Sequence, residues 1–466
     1  MSTAIGCVVD SQFDKATVAF ATLDIPITIG TFIYTLDQQG KSKILMRIVN
    51  IRRISTTVAM TKYALSNTCP PASKSTRGVL IATARIVGII QDGSLRNILV
   101  PPPIKNHVYM VDDDLFREIL KTGEETIELG RIFIGYKRDS KTGSIEVMHA
   151  PLVVDFTQFS NTNVIMLGLE GLGLYDVMES LLEQISQKEN TNVIIIDAKG
   201  EIKRRLENRL SDRLVIVDAD EAMRLLNNGF GFLYMDVDEI ISVLGPKIGY
   251  NNVNVLQDIL GAIKEYPLSI EKIVNIAESQ KVSSGFIEML KRIWENTAGK
   301  FLEPNSVVII DLRGAKLRNQ IQLVHVFFKQ LYDEMSRRIR KGESVRRFIV
   351  IDPLELYLPA NEFISDDLTL ACREQIINVM LKNRLFKLSL IGITETPSMI
   401  NPLALYLAKS VIVGKVIDRR EIEAISKYFG LSKRVIMSIN ENQFLLKGNL
   451  SPLKDEVLFI LGERSV

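Results

Sequence analysis

From the N-terminus to about residue 150, apolar and polar positions alternate in short runs, the period of half-buried strands. Such runs lie at 5–9, 17–21, 31–36, 43–54, 79–90, 98–100, 131–136 and 144–148. Turn residues separate them, at Asp10-Ser11, Asp37-Gln38-Gln39-Gly40, Gln91-Asp92-Gly93 and Lys141-Thr142-Gly143. Several short strands at this spacing predict a small β-barrel. Pro101-Pro102-Pro103 interrupts the pattern, and a short helix over about 113–121 follows, with Asp112 or Asp113 as its N-cap. From about residue 160 the rhythm changes. Almost unbroken apolar runs at 164–167, 193–196, 214–217, 307–310, 348–351, 388–393 and 410–413 alternate with segments of helical period. Strands buried on both faces of a parallel sheet read this way, so this part is α/β. Between about 236 and 300 the strands stop and three helical patterns, near 252–265, 270–278 and 283–297, form an insertion. Segments 444–447 and 457–461 return to strand. The expected domains are therefore a β-domain over 1–155 and an α/β core over 156–466. The core carries the insertion at about 236–300 and closing strands at about 443–466.

Composition changes this picture little. Of 466 residues, 46% are apolar, enough for large cores, and the net charge of +2 supplies no global basic field for nucleic acid. Any DNA contact must come from local basic groups. Cys7, Cys69 and Cys372 are scattered and odd in number, and His107, His149 and His325 are scattered too. Neither a disulfide framework nor a metal site is expected. No apolar run reaches the ~18 residues of a membrane span, and the N-terminus lacks the features of a leader, which makes a cytoplasmic protein the default.

The chemistry centres on 164–175, Val-Ile-Met-Leu-Gly-Leu-Glu-Gly-Leu-Gly-Leu-Tyr. A buried strand, a glycine-rich turn and a helix to about Gln187 make the layout of a phosphate-binding loop. The spacing from Gly168 to Gly173 fits the Walker A frame. Its lysine position holds Leu174 and its hydroxyl position holds Tyr175. The candidate pocket residues are Gly168, Gly171, Gly173, Leu174, Tyr175 and Asp197. A tight βα turn without a ligand is the plain alternative, and a dinucleotide fingerprint is discounted because the spacing is altered. Gly40-Lys41-Ser42 imitates the end of a Walker A motif, but the strand that follows makes it a hairpin turn.

Other strand ends add candidates. Asp197-Ala198-Lys199-Gly200-Glu201 reads equally as a ligand site or as a helix N-cap. The run at 348–351 ends in Asp352, the Walker B pattern, but Pro353 stands where a glutamate base is needed, and Glu355 lies two residues on. Asp218 after 214–217 is a weaker candidate, read as a capped helix start. Thr394-Glu395-Thr396-Pro397-Ser398 is either a phosphate-side loop or a simple turn. Arg384 is a solvated charge or faces a neighbouring subunit. Arg337, Arg338, Arg340 and Lys341, with Arg346 and Arg347 beyond, form the densest basic cluster. It is a solvated helix end or a contact to DNA phosphate.

Together these pieces resemble the HerA family of archaeal and bacterial double-stranded-DNA translocases, kin to FtsK and the conjugation ATPases, over nearly the whole chain. The first strands, with the Pro101-Pro102-Pro103 segment and the helix after it, are similar to the family's HerA–ATP synthase (HAS) barrel. The family's threonine–glycine–serine–glycine–lysine–serine falls on Glu170 to Tyr175, where only the glycines match. Its aspartate–x–x–glycine–glutamate element matches at Asp197, Gly200 and Glu201, and its strand–aspartate at Asp311. Its aspartate–glutamate–alanine–histidine falls on Asp352, Pro353, Leu354 and Glu355, keeping the aspartate alone, with Pro359 also fitting. Its serine–glutamine–arginine–proline–serine falls on Thr394 to Ser398. Arg384 falls on an arginine that is a candidate trans-acting finger, and 443–448 is similar to the segment ahead of the closing strands.

The resemblance implies a RecA-like P-loop ATPase core with a helical insertion, preceded by the HAS barrel. It implies a hexameric ring, homomeric or mixed with an active paralogue, working on double-stranded DNA in end processing or repair, with a nuclease as a further partner and no membrane. Lysine, hydroxyl, glutamate base and the glutamine–arginine pair are all absent together. Losing one preorganised charge-stabilising group costs roughly 10²–10³ in rate, so the expectation is an ATPase-deficient scaffold, clamp or regulator. Asp352, Glu355, Glu395 and Arg384 are then vestiges of catalysis, and ATP and Mg²⁺ are cofactors only if the pocket still works. The alternatives are an active ATP-driven translocase with atypical residues and an interaction protein that binds neither ATP nor DNA.

Overall fold

Alternation in the first third of the chain produces strands that pair antiparallel. In the computed structural model these are β1 (Gly6–Ser11), β2 (Lys15–Phe20), β3 (Phe32–Leu36), β4 (Lys43–Ile54), β5 (Val79–Gln91), β6 (Ser94–Arg96) and β7 (His107–Met110). The structure describes residues 4–461 except 21–25, 56–77, 92, 99, 121–123, 139–141, 211–212, 230–247, 249, 262–269, 341, 343–344 and 454–455. The order is β2-β1-β7-β3-β4-β5, and β2 also pairs with β5, so six strands close into a barrel with β6 outside as a hairpin arm. The lumen is filled by the inward set, including Val8, Val18, Phe20, Ile33, Ile44, Met46 and Val108, as a barrel this narrow requires. Asp37 Oδ1 accepts from the N–H groups of Gln39 and Lys41, and Leu36 pairs with Lys43, so Gly40-Lys41-Ser42 is a hairpin turn. The helix Asp113–Ile119 is capped by Asp112, which accepts from the Leu115 N–H at 2.8 Å.

Two long strands follow, β8 (Thr126–Arg138) and β9 (Ile145–Asp155). Then come the parallel strands β10 (Val164–Leu167), β11 (Thr191–Asp197), β12 (Leu214–Asp218), β13 (Val307–Asp311), β14 (Arg346–Asp352), β15 (Leu388–Thr394) and β16 (Ser410–Val413), and finally β17 (Gln443–Gly448) and β18 (Val457–Ile460). The chain packs as two units, Met1–Phe156 with Gln443–Val466, and Thr157–Asn442. The closing strands, read above with the α/β core, therefore group with the barrel. β18 pairs antiparallel with β8, and Arg47 and Arg85 of the barrel bind the carbonyl and carboxylate of Glu456. Gly130 permits this, because a Cβ there would lie 2.2 Å from the Ile460 carbonyl oxygen. Cys7 on β1 is engaged in a disulfide, so scattered cysteines did not exclude one.

In the second unit the sheet runs β12-β13-β11-β14-β15-β10-β16, with every neighbouring pair parallel. Its central strands are buried throughout, with helices on their faces. Between β12 and β13 lie the helices Tyr250–Gly261, Ile270–Ser279 and Ser284–Glu295. They share a core of their own around Leu256, Ile259, Ile273, Phe286 and Leu290, the insertion read from sequence. No described helix is long and apolar enough to cross a membrane.

Candidate functional site

Register brings the strand ends to one level. Asp218 pairs with Asp311, Asp311 with Asp197, and Asp197 with Asp352, so four aspartates line the carboxyl edge of four adjacent strands. Beyond them, Leu167 at the start of the glycine loop pairs with Thr394. In a parallel sheet this edge is where ligands bind.

The glycine loop is shaped for close backbone turns. Gly171 and Gly173 have φ of +80° and +88°, conformations that suit glycine, and Gly173 opens the helix Leu174–Ser186. A Cβ on Gly168 would press within 3.3 Å of the Gly414 backbone. Leu174 is buried in the unit's core. Tyr175, 4% exposed, donates its hydroxyl to Asp352 Oδ2 at 2.9 Å. The Arg205 guanidinium lies over its ring at 5.6 Å, held in turn by Asp176. Tyr175 is thus fixed at both ends.

Asp352 is fully buried, and its Oδ1 has no partner among the described residues. Burial pushes its pKa up to about 7, against the lowering effects of the Tyr175 hydrogen bond and of Lys199. Tyr175 is pushed well above the usual phenol range by burial and by Asp352. Glu355 is raised by burial as well, and its Oε2 lacks a partner among the described residues.

The other aspartates are spoken for. Asp197 accepts from the N–H groups of Gly200 at 2.6 Å and Lys203 at 2.9 Å. It thereby takes up two backbone N–H groups at the start of the helix Glu201–Leu206, whose N-cap residue is Gly200, and burial raises its pKa. Asp218 caps the helix Ala219–Asn227 through the Glu221 N–H. Asp311 binds Lys203 Nζ at 2.9 Å and the Arg313 guanidinium, with Arg313 first among the groups that hold its carboxyl far below the carboxylate range. Thr394 Oγ1 accepts from the Thr396 N–H, and Ser398 donates to both carboxylate oxygens of Glu421, so 394–398 is a pinned turn.

Lys199 lies within the segment Asp197–Glu201 and matches no motif of its own. Its Nζ donates to Glu395 Oε1 at 2.7 Å and lies 3.6 Å from Glu170 Oε2. Sequence spacing carries no sign of this, because the three residues come from three separate strand ends.

The remaining candidates lie elsewhere. Arg384 is exposed on the short helix Asn383–Phe386. In the basic cluster, Arg340 is exposed and Arg337 pairs with Glu334. Arg338 corrects the expectation of a surface contact. It is 1% exposed and donates from Nε to Glu334 Oε1 at 2.9 Å, on the buried stripe of the helix Leu317–Arg340. Arg347 is buried at the start of β14, and Lys341 lies outside the described residues. Among the described residues, no group of three or more His, Cys, Asp or Glu side chains could hold a metal ion.

No family model matches the chain. A probable helicase of Methanocaldococcus jannaschii is 25% identical over 156 residues, which take in 32% of this chain and 27% of that protein. The match thus spans about a quarter of that relative's length. Among solved structures, VirB4 of Thermoanaerobacter pseudethanolicus is similar with a TM-score of 0.41 and 13% identity, over 74% of this chain and 98% of that one. The pCW3 conjugation coupling protein TcpA, a monomer form with ATPγS, gives 0.37 and 12%, over 92% and 86%. The genome packaging NTPase B204 of Sulfolobus turreted icosahedral virus 2, in complex with AMPPCP, gives 0.33 and 11%, over 65% and 98%. At these scores none of them fixes the fold or the function of this chain.

Proposed function

We propose that this chain is a HerA-like ring subunit, related to double-stranded-DNA translocases, whose nucleotide pocket is closed from within. It serves DNA end processing or repair as a scaffold, clamp or regulator rather than as a motor. The observation that carries this is the Tyr175 hydroxyl on Asp352 Oδ2. In a working site of this layout, the aspartate and the loop hydroxyl hold the magnesium ion and the loop lysine holds the β/γ-phosphates. Here a phenol is fixed to the aspartate and Leu174 is buried in the core, so the residues present do not fit a magnesium–nucleotide. The ring, homomeric or mixed with an active paralogue, the HAS identity of the barrel and a nuclease partner belong to the same proposal. Duplex DNA contact falls to Arg340 and Arg337, with Arg338 withdrawn from it.

One rival reading draws on a specific observation. Glu355 keeps a carboxylate oxygen, Oε2, without a partner among the described residues near Lys199 and Asp352, as an atypical base in an active translocase would. Phosphate release by the full chain, with magnesium, ATP and duplex DNA present, decides between them. The closed pocket predicts release no faster than a chain-free control, while duplex DNA is bound with an affinity that falls with salt. Turnover that disappears in Asp352→Asn or Glu355→Gln overturns the proposal.

A further inference from the structure

The strand ends hold several carboxylates, and Lys199 reaches across them. Lys199 leaves the chain two residues beyond the end of β11, whereas Glu395 follows β15, two strands away. Neighbouring strands lie about 4.8 Å apart, so the ammonium and its acid together span roughly 10 Å of sheet edge. The Ala198 N–H donates to the Asp352 carbonyl oxygen at 2.9 Å, which continues the pairing of β11 with β14 to the residue before Lys199. There its Nζ meets Glu395 at 2.7 Å and, from the glycine loop itself, Glu170 at 3.6 Å. Burial works against the ammonium, but the Glu395 hydrogen bond and the charges of Asp352, Glu395 and Glu170 together hold its pKa above the ordinary lysine value. Beside it the fully buried Asp352 keeps Oδ1 without a partner among the described residues. A cation bound by two acids thus stands next to a glycine loop that has lost its own lysine.

We propose that Lys199 is a phosphate-binding cation kept masked, with Glu170 and Glu395 in the place of phosphate oxygens, and that neutralising both acids opens the loop to a polyphosphate anion. This rests on the closed-pocket reading above and adds how the closure is built. Carboxylate and phosphate oxygens are equivalent acceptors for an ammonium. The loop leads into a helix of 13 residues, whose N-terminus favours an anion. The two acids are 50% and 30% exposed, so replacing them leaves the core intact. Glu170, Glu395 and Asp352 all set negative charge around Lys199, and neutralising the two exposed acids removes the part of it that directly occupies the ammonium.

The test uses the full chain and inorganic tripolyphosphate without metal, followed by calorimetry. Glu170→Gln with Glu395→Gln is expected to bind at least about tenfold tighter than wild type, the scale of one removed like-charge contact near a protein surface. Adding Lys199→Met is expected to abolish the gain. Glu395→Gln alone, the milder change, is expected to give a smaller gain and serves if the double variant does not fold. A folded double or single variant no tighter than wild type overturns the inference, and so does a gain that survives Lys199→Met. ATP turnover by the wild-type chain would defeat the closed-pocket reading while leaving this metal-free comparison legible.

Discussion

Tyr175 decides what the strand-end site can do, because one phenol both fills the place of a small hydroxyl and satisfies Asp352. Tyr175→Phe removes the hydrogen bond that the buried carboxylate receives at Oδ2. It is expected to lower stability by about 1–3 kcal/mol at pH 8, and by less at pH 5, where Asp352 carries a proton, as denaturant titration would measure. Asp352 itself sets a pH dependence. Its pKa is raised by burial to about 7 in the folded chain, against about 3.9 unfolded. The folded state therefore holds the extra proton, and this contribution is fully present below about pH 4 and is lost as pH rises through about 7. Across that window the wild type is expected to lose up to about 1.4 kcal/mol per pH unit relative to Asp352→Asn. Melting both across pH 4–8 checks this, and parallel curves would refute it. At this scale sequence spacing puts Leu174 and Tyr175 at the positions where a Walker frame would carry its lysine and hydroxyl. It did not show where the phenol goes, because Tyr175 and Asp352 are 177 positions apart and meet only through strand order.

The elements explain both what was legible and what was not. Unbroken apolar runs, four of the seven ending in aspartate, announce buried parallel strands, and all seven are present in the sheet. Their lateral order is a tertiary result, so the shared level of Asp218, Asp311, Asp197 and Asp352 could not be read along the chain. At Asp197 both oxygens take backbone N–H groups, from Gly200 and from Lys203 in the first turn of the helix that Gly200 caps. The misreading of Arg338 was avoidable. Val324, Phe327, Phe328, Leu331, Met335 and Arg338 fall on one face at helical spacing, and all are buried. Glu334→Ala removes the carboxylate that pairs with the buried Arg338 guanidinium and is expected to destabilise the chain by about 3–5 kcal/mol in chemical denaturation. Arg340→Glu, at an exposed position, is expected to leave the melting temperature within about 1 °C of wild type, as surface changes do. It should also weaken duplex DNA binding and reduce its salt dependence; unchanged binding would remove this helix end from the interface.

For the whole molecule, a sealed six-stranded barrel and a seven-stranded parallel sheet unit divide the chain. In sequence the apolar runs switch from alternating to continuous near residue 160. The allegiance of β17 and β18 was hidden, since a strand's sequence does not name its partner. Native mass measurement of the full chain is expected to give a sixfold multiple of the subunit mass, and a monomer at micromolar concentration would remove the ring from the proposal. The central claim is that Tyr175 closes the nucleotide pocket on Asp352. Calorimetric titration of the full chain with magnesium–ATP tests it most directly. The account predicts no saturable heat up to millimolar nucleotide, whereas a micromolar Kd that vanishes in Asp352→Asn would contradict it.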